Sequence, residues 1–261
     1  MSLQSAITHT LNYARRFGVQ LSPEKSADRL LGPHYYHLNR KYTRHLNNRP
    51  NPIYLQKYKI SQKFANQIKN LFPDILLLAL TGSVASLYPA KRDDIDFLII
   101  TRADTLWLTR LRLLFFLRRQ HLSFRRFNQS KSANLFCFNL WLDESSLTLP
   151  ISKQNLRNAV DLVLLKPLFD RHHTYRRFLF ANPWAKKFVC TPYTNLINKT
   201  KSNHFSPLSK GEIKKGICFE NCKLKIENSI AFLTQYFYML PKITTETITL
   251  HSAFFHPKRR V

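Results

Sequence analysis

Apolar residues recur along this chain with two periods, and the switches between them mark its elements. Ile60, Phe64, Ile68 and Leu71 stand at three- and four-residue spacing, which predicts an amphipathic helix from about Tyr58, stopped by Pro73. Ile75–Leu80 (ILLLAL) is a short unbroken apolar run and predicts a fully buried strand. Thr81-Gly82-Ser83 breaks it, Val84–Tyr88 fits one or two helical turns before Pro89, and residues 91–94 form a charged loop. Ile95–Thr101 (IDFLIIT) predicts a second strand, and Asp104-Thr105 caps a helix running to about Arg119. Residues 121–133 read as a basic, polar loop. Leu135–Leu142 (LFCFNLWL) predicts a third strand, ended by Asp143-Glu144-Ser145-Ser146.

Outside this stretch the pattern is mostly helical. Ala6–Phe17 predicts a helix, and Ser22-Pro23-Glu24 reads as an N-cap with Pro in the first turn. These two helices suit either a small winged-helix-like module or a decoration on the main domain. Residues 47–52 (NNRPNP) predict a loop. Gln154–Leu165 predicts a helix closed by Pro167, with Lys166 as a cation at its C-terminus, and Tyr175–Phe180 another. Residues 190–211 predict a loop. Leu224–Leu240 predicts a strong helix with Ile226, Ile230, Leu233 and Phe237 on one side, and Phe254 and Phe255 dock the tail on the body. The order of elements predicts an α+β fold, a mixed sheet with helices on one side. The expected division is a basic helical region at 1–55, a core at 56–170 and a helical region at 171–261.

Charge changes the picture more than composition does. Lys plus Arg number 41 against 15 acidic residues, a net charge of +26 and a pI near 10.3. Such a surface attracts polyanions: nucleotide phosphates, RNA or another anionic acceptor. The basic pairs, among them Arg15-Arg16, Arg118-Arg119 and Lys186-Lys187, are spread along the chain and build no single arm. Cys218 and Cys222 are four apart, which suits one helix face better than zinc. The first residues lack the pattern of a signal peptide, and Leu106–Leu117 is short and carries Arg110 and Arg112, so no membrane span is expected and a cytoplasmic setting follows.

Chemistry concentrates in LLLALTGSVASLYPAKRDDIDFLIIT. Gly82, one of five glycines, follows a buried strand and precedes Ser83, where backbone N–H groups and a hydroxyl can meet a phosphate. Eleven residues later, Asp94 and Asp96 flank Ile95, so strand alternation points both carboxylates to one face. Paired hard oxygen ligands suit Mg²⁺ or Mn²⁺ with phosphates completing the shell. Lys91 and Arg92 can neutralise a triphosphate, and Asp93 suits a hydrogen bond within the loop. Trp107 and Trp141 read as core.

The pattern hG[GS] followed by DhDh resembles the nucleotidyltransferase superfamily with a DNA-polymerase-β-like fold. The longer match, through LFCFNLWLDESSLTLP, LKPLFDR and AFFHP, resembles a bacterial group of nucleotidyltransferase-domain proteins over residues 60–260. The resemblance implies Gly82 and Ser83 on a nucleoside triphosphate and Asp94 and Asp96 as metal ligands. It implies a third carboxylate on the next strand, where this chain has Asn139. Asp143 is the first substitute, with a turn role in LDESS as its alternative; Asp161 on the next helix is a further candidate. The expected activity is Mg²⁺-dependent transfer of a nucleoside monophosphate to a hydroxyl, with release of pyrophosphate. The alternatives are a non-catalytic nucleotide-binding module and a nucleic-acid-binding regulator.

Overall fold

A computed structural model describes residues 2–17, 19–33, 51–125, 133–202, 217–243 and 246–255. Three strands carry the centre: β1 (Ile75–Leu80), β2 (Ile95–Thr101) and β3 (Phe136–Asp143). β4 (Lys166–Asp170) flanks β1, and β5 (Thr247–Ile248) and β6 (Ser252–Phe254) lie beyond β3. The spatial order is β4-β1-β2-β3-β6-β5. Only β2 and β3 run parallel; the other pairs are antiparallel, so the sheet is mixed and the fold is α+β.

Among the described residues there are eight α-helices: α1 (Leu3–Arg15), α2 (Pro52–Leu71), α3 (Gly82–Ala85), α4 (Leu106–Arg119), α5 (Leu156–Leu164), α6 (Thr174–Phe180), α7 (Lys186–Ser202) and α8 (Ile217–Met239). They cover both faces of the sheet, where the element order predicted one. The cause is visible in β1, all six of whose residues are buried. Leu78 and Leu80 pack with Phe64 and Ile68 of α2 and with Trp107 and Leu113 of α4. Leu77 and Ala79 pack the other way, with Val160 of α5, Phe178 of α6 and Tyr193 of α7. A run apolar on both sides needs two covering layers, as burying it is the main favourable term in folding.

Three expectations are corrected. Pro167 does not simply close α5. It lies inside β4, on the edge of the sheet, where a residue with no N–H costs no ladder bond on its outer side. Residues 190–202 are helical rather than loop; 203–211 fall outside the described residues. Val189 (φ −134°, ψ 56°) breaks α7, so Pro192 lies in the first turn after the break, where its missing N–H has no partner to lose. Pro52 opens α2 with Asn51 Oδ1 accepting from Ile53 N at 2.9 Å, so this end of the expected 47–52 loop is a helix cap. At the N-terminus, α1 is followed by a 3₁₀ helix (Pro23–Arg29), while residues 34–50 of the basic region lie outside the described residues. The sheet draws strands from both 56–170 and 171–261, because β6 pairs with β3.

Candidate active site

Gly82 opens α3 with φ +62°, a left-handed conformation that glycine adopts without a side-chain penalty. The space demands glycine as well. A Cβ at residue 82 would stand 2.7 Å from Asp96 Oδ2. Thr81 N donates to Asp96 O at 3.0 Å, which ties the turn to the start of β2. The Gly82-Ser83 turn and the Asp96 carboxylate therefore touch. Ser83 is half-buried in the first turn of α3, its carbonyl accepting from Ser86 Oγ at 2.8 Å.

Asp94 precedes β2 and Asp96 lies within it, while Ile95 between them is buried in the opposite core. Asp94 Oδ2 accepts from Arg125 Nη1 at 2.6 Å. Asp96 Oδ1 accepts from Asn139 Nδ2 at 2.6 Å, and Asn139 Oδ1 accepts from Cys137 Sγ at 2.8 Å. Asp94, Asp96 and Cys137 bring their ligand atoms within 4.8 Å of one another. Burial pushes the Cys137 thiol well above its usual range, and the Asp96 and Asp94 charges add to this. It stays a thiol. The anionic donors at this point are thus two carboxylates, a hard oxygen pair that fits Mg²⁺ or Mn²⁺. Burial opposes the Arg125 charge, but the hydrogen bond and charge of Asp94 outweigh it and hold the guanidinium above its ordinary value.

β3 reaches this site through a bulge. Asp96 pairs with Cys137 and Leu98 with Leu140, so two steps along β2 match three along β3. The extra residue puts both Asn139 and Leu140 on the cavity side, while Phe138 and Trp141 pack on the other core. Asn139 is therefore where the sequence pattern placed the third carboxylate.

Asp143 is not brought to the site. The bulge reverses the alternation after residue 139, and Asp143 pairs with Thr101 at the far end of the sheet. Its β2 partner Thr101 lies five steps along the strand from Asp96, roughly 17 Å. There Asp143 is fully buried and accepts from Ser145 N at 3.0 Å, Asp104 N at 3.3 Å and His251 Nδ1 at 2.7 Å. This is the turn role in LDESS, extended to the segment before β6. Replacing Asp143 with alanine orphans those donors and is expected to cost about 2 kcal/mol of stability. Chemical denaturation measures that loss.

A cavity of about 210 Å³ opens on the site. Gly82, Asp96 and Asn139 form one wall, and Lys153, Arg157 and Asp161 of the segment around α5 form another. Asp161 thus shares a cavity with Asp96, as its position on the next helix suggested. Arg157 Nε lies 4.0 Å from Asp161 Oδ2. Lys91 and Arg92 are exposed on the loop before Asp94, and Asp93 Oδ2 accepts from Ala90 N at 2.9 Å within that loop. Trp107 and Trp141 are buried in the core. Lys166 Nζ lies 4.8 Å from the centre of the Tyr54 ring at the start of β4.

Sequence reasoning passed over Lys57, Arg125 and Cys137. Lys57 is fully buried on α2, and its ammonium donates to Asp93 O at 2.6 Å, Asn134 Oδ1 at 2.7 Å and Lys91 O at 3.4 Å. It clamps the loop that carries the Asp pair. A signal existed: Lys57, Ser61, Phe64 and Ile68 stand at helical spacing on one buried face, and a lysine there needs buried acceptors. Arg125 had no such signal, sitting in a run of basic loop residues.

The chain has no significant match among protein-family models, curated proteins or solved structures. Among the described residues no helix is long and apolar enough to cross a membrane.

Proposed function

We propose that this chain is a nucleotidyltransferase that uses Mg²⁺ or Mn²⁺, with a core resembling that of DNA polymerase β. The observation that carries the reading is the contact between Gly82 and Asp96, with 2.7 Å left for a side chain that residue 82 lacks. A backbone turn without a side chain, set against a carboxylate pair on an adjacent strand, lets phosphate and metal share one position. Asp94 and Asp96 would hold the metal, which when bound neutralises phosphate charge. Gly82 and Ser83 would take the triphosphate, with Lys91 and Arg92 supplying positive charge from the loop. An acceptor hydroxyl oxygen attacks the α-phosphorus, the bond to the β-phosphate oxygen breaks, pyrophosphate leaves and the hydroxyl proton passes to a base. Asp161 is the carboxylate across the cavity available for that proton. The net charge of +26 favours an anionic acceptor such as an RNA end.

A second reading rests on Asn139. Its amide donates to Asp96 Oδ1 and cannot take a proton, so the same site serves a module that binds nucleotide without turning it over. Pyrophosphate release separates the two, assayed with each nucleoside triphosphate, Mg²⁺ or Mn²⁺ and a cell-extract pool of acceptors. The expected result is release by the wild type and none by Asp94→Ala/Asp96→Ala. Equal background release from both, with metal-dependent nucleotide binding retained by the wild type, would establish the binding module instead.

A further inference from the structure

Helix α8 packs Ala231, Phe232 and Met239 on the core and buries two amides beside them. Asn228 and Gln235 are buried against α4: Asn228 Oδ1 accepts from Trp107 N at 2.8 Å and Leu108 N at 3.2 Å, and Gln235 Nε2 donates to Trp107 O at 2.8 Å. The opposite side carries Ile226, Ile230, Leu233 and Phe237, continued by Leu240 in the 3₁₀ turn that follows; they are 61%, 59%, 49%, 65% and 48% exposed. The first four are the residues whose helical spacing put them on one side. All five follow one another at intervals of four, three, four and three, the seam of a two-helix coiled coil. The positions beside the seam are Glu227, Ser229, Thr234 and Tyr236, almost bare of charge. The nearby lysines are neutralised within the chain, Lys223 by Glu227 at 3.9 Å and Lys225 by Asp104 at 3.6 Å.

We propose that this seam is a dimer interface, pairing α8 with α8 of a second copy, antiparallel about a twofold axis. In that register Ile226 of one protomer faces Phe237 of its partner, and Ile230 faces Leu233. A parallel pair would set Lys223 against Lys223, whereas the antiparallel pair sets it against Leu240. The seam offers on the order of 600 Å² per copy, or about 1,200 Å² for the pair, the lower end of what a specific interface buries. A twofold pair also closes on itself, so the apolar line is covered with no further growth. Two copies at +26 repel each other over the rest of their surfaces, so added salt strengthens this association.

Sedimentation equilibrium of the full chain across micromolar concentrations and two salt levels tests the proposal. Ile230→Asp and Phe237→Asp lie on the exposed side of α8 and leave its contacts with α4 intact, which far-ultraviolet dichroism checks. The wild type is expected to dimerise more tightly at higher salt, and each variant to weaken the dimer about tenfold or more. A wild type that stays monomeric throughout overturns the proposal, as does a dimer that both variants leave unchanged. Vesicles of anionic phospholipid form a parallel arm: a monomer that binds them through the same residues, more weakly as salt rises, would give the seam to a lipid surface and reject the second copy.

Discussion

Gly82→Ala is expected to lower the proposed nucleotidyl transfer about 100-fold while the chain still folds. Two costs combine. Alanine at φ +62° is strained by about 1–2 kcal/mol. Its Cβ would also stand 2.7 Å from Asp96 Oδ2, inside any normal contact, so the turn and the carboxylate must part. Asp96 is held by Asn139 on its other oxygen, and the turn by the Thr81 N to Asp96 O bond. Neither yields without moving the other, and displacement near 1 Å in a site that works by positioning costs about that factor in rate. The steric part is separable. In an Asp96→Ala background the clash is gone, so adding Gly82→Ala should cost only the backbone strain. Thermal unfolding of the four members of this cycle measures the coupling. A coupling of zero would show that the two residues do not meet.

The second large effect lies at Lys57. Lys57→Met keeps the length of the side chain and deletes its charge, leaving Asp93 O, Lys91 O and Asn134 Oδ1 without their shared donor. Burial already holds the ammonium below its ordinary value, with Asp93 and Asp94 pulling it back up. The group therefore stays buried at the expense of its hydration, and the three acceptors offset that. Losing bonds from a charged donor should cost about 3 kcal/mol, a fall of roughly 6–12 °C in the unfolding midpoint. The loop that carries Asp94 loses its anchor in the same step, so metal-dependent nucleotide affinity falls too. Calorimetry and nucleotide titration read the two effects. A midpoint unchanged within a degree or so would mean that water replaces the ammonium.

The sequence made some parts of this molecule plain because one signal dominated there. ILLLAL and IDFLIIT coincide with β1 and β2 residue for residue, since short apolar runs bounded by turn residues suit buried strands, and LWLTRLRLLFFLRR coincides with α4. The meeting of Gly82 with Asp96 followed from the same pattern. Asn139 was placed at the site only by resemblance; the bulge that delivers it left no mark in LFCFNLWL, and without that bulge Asp143 looked like its neighbour. Pro167 was read as a stop, when an edge strand accommodates proline, and the polar residues of 190–211 were read as a loop, when the first turn after a kink accommodates Pro192. The apolar side of α8 was correctly seen as one side, but periodicity says which residues share a face and not which face the body takes. Asn228 and Gln235, each with bonds to make on α4, decided that.

The sheet also sets an order of events during synthesis. β1, β2 and β4 are all made by residue 170, but β3 must wait for Ser252–Phe254 before its second edge is paired. More than 100 residues must be added meanwhile, including all of α8 with its outward apolar line. A growing chain therefore carries an open β-strand edge through the later part of its translation, the kind of template on which neighbouring chains pair wrongly. Closing that edge joins segments far apart in sequence, which slows the last step of folding. The His251–Asp143 bond, formed beside the closing strand, fastens the sheet only after residue 251 has been made, more than 100 residues after Asp143.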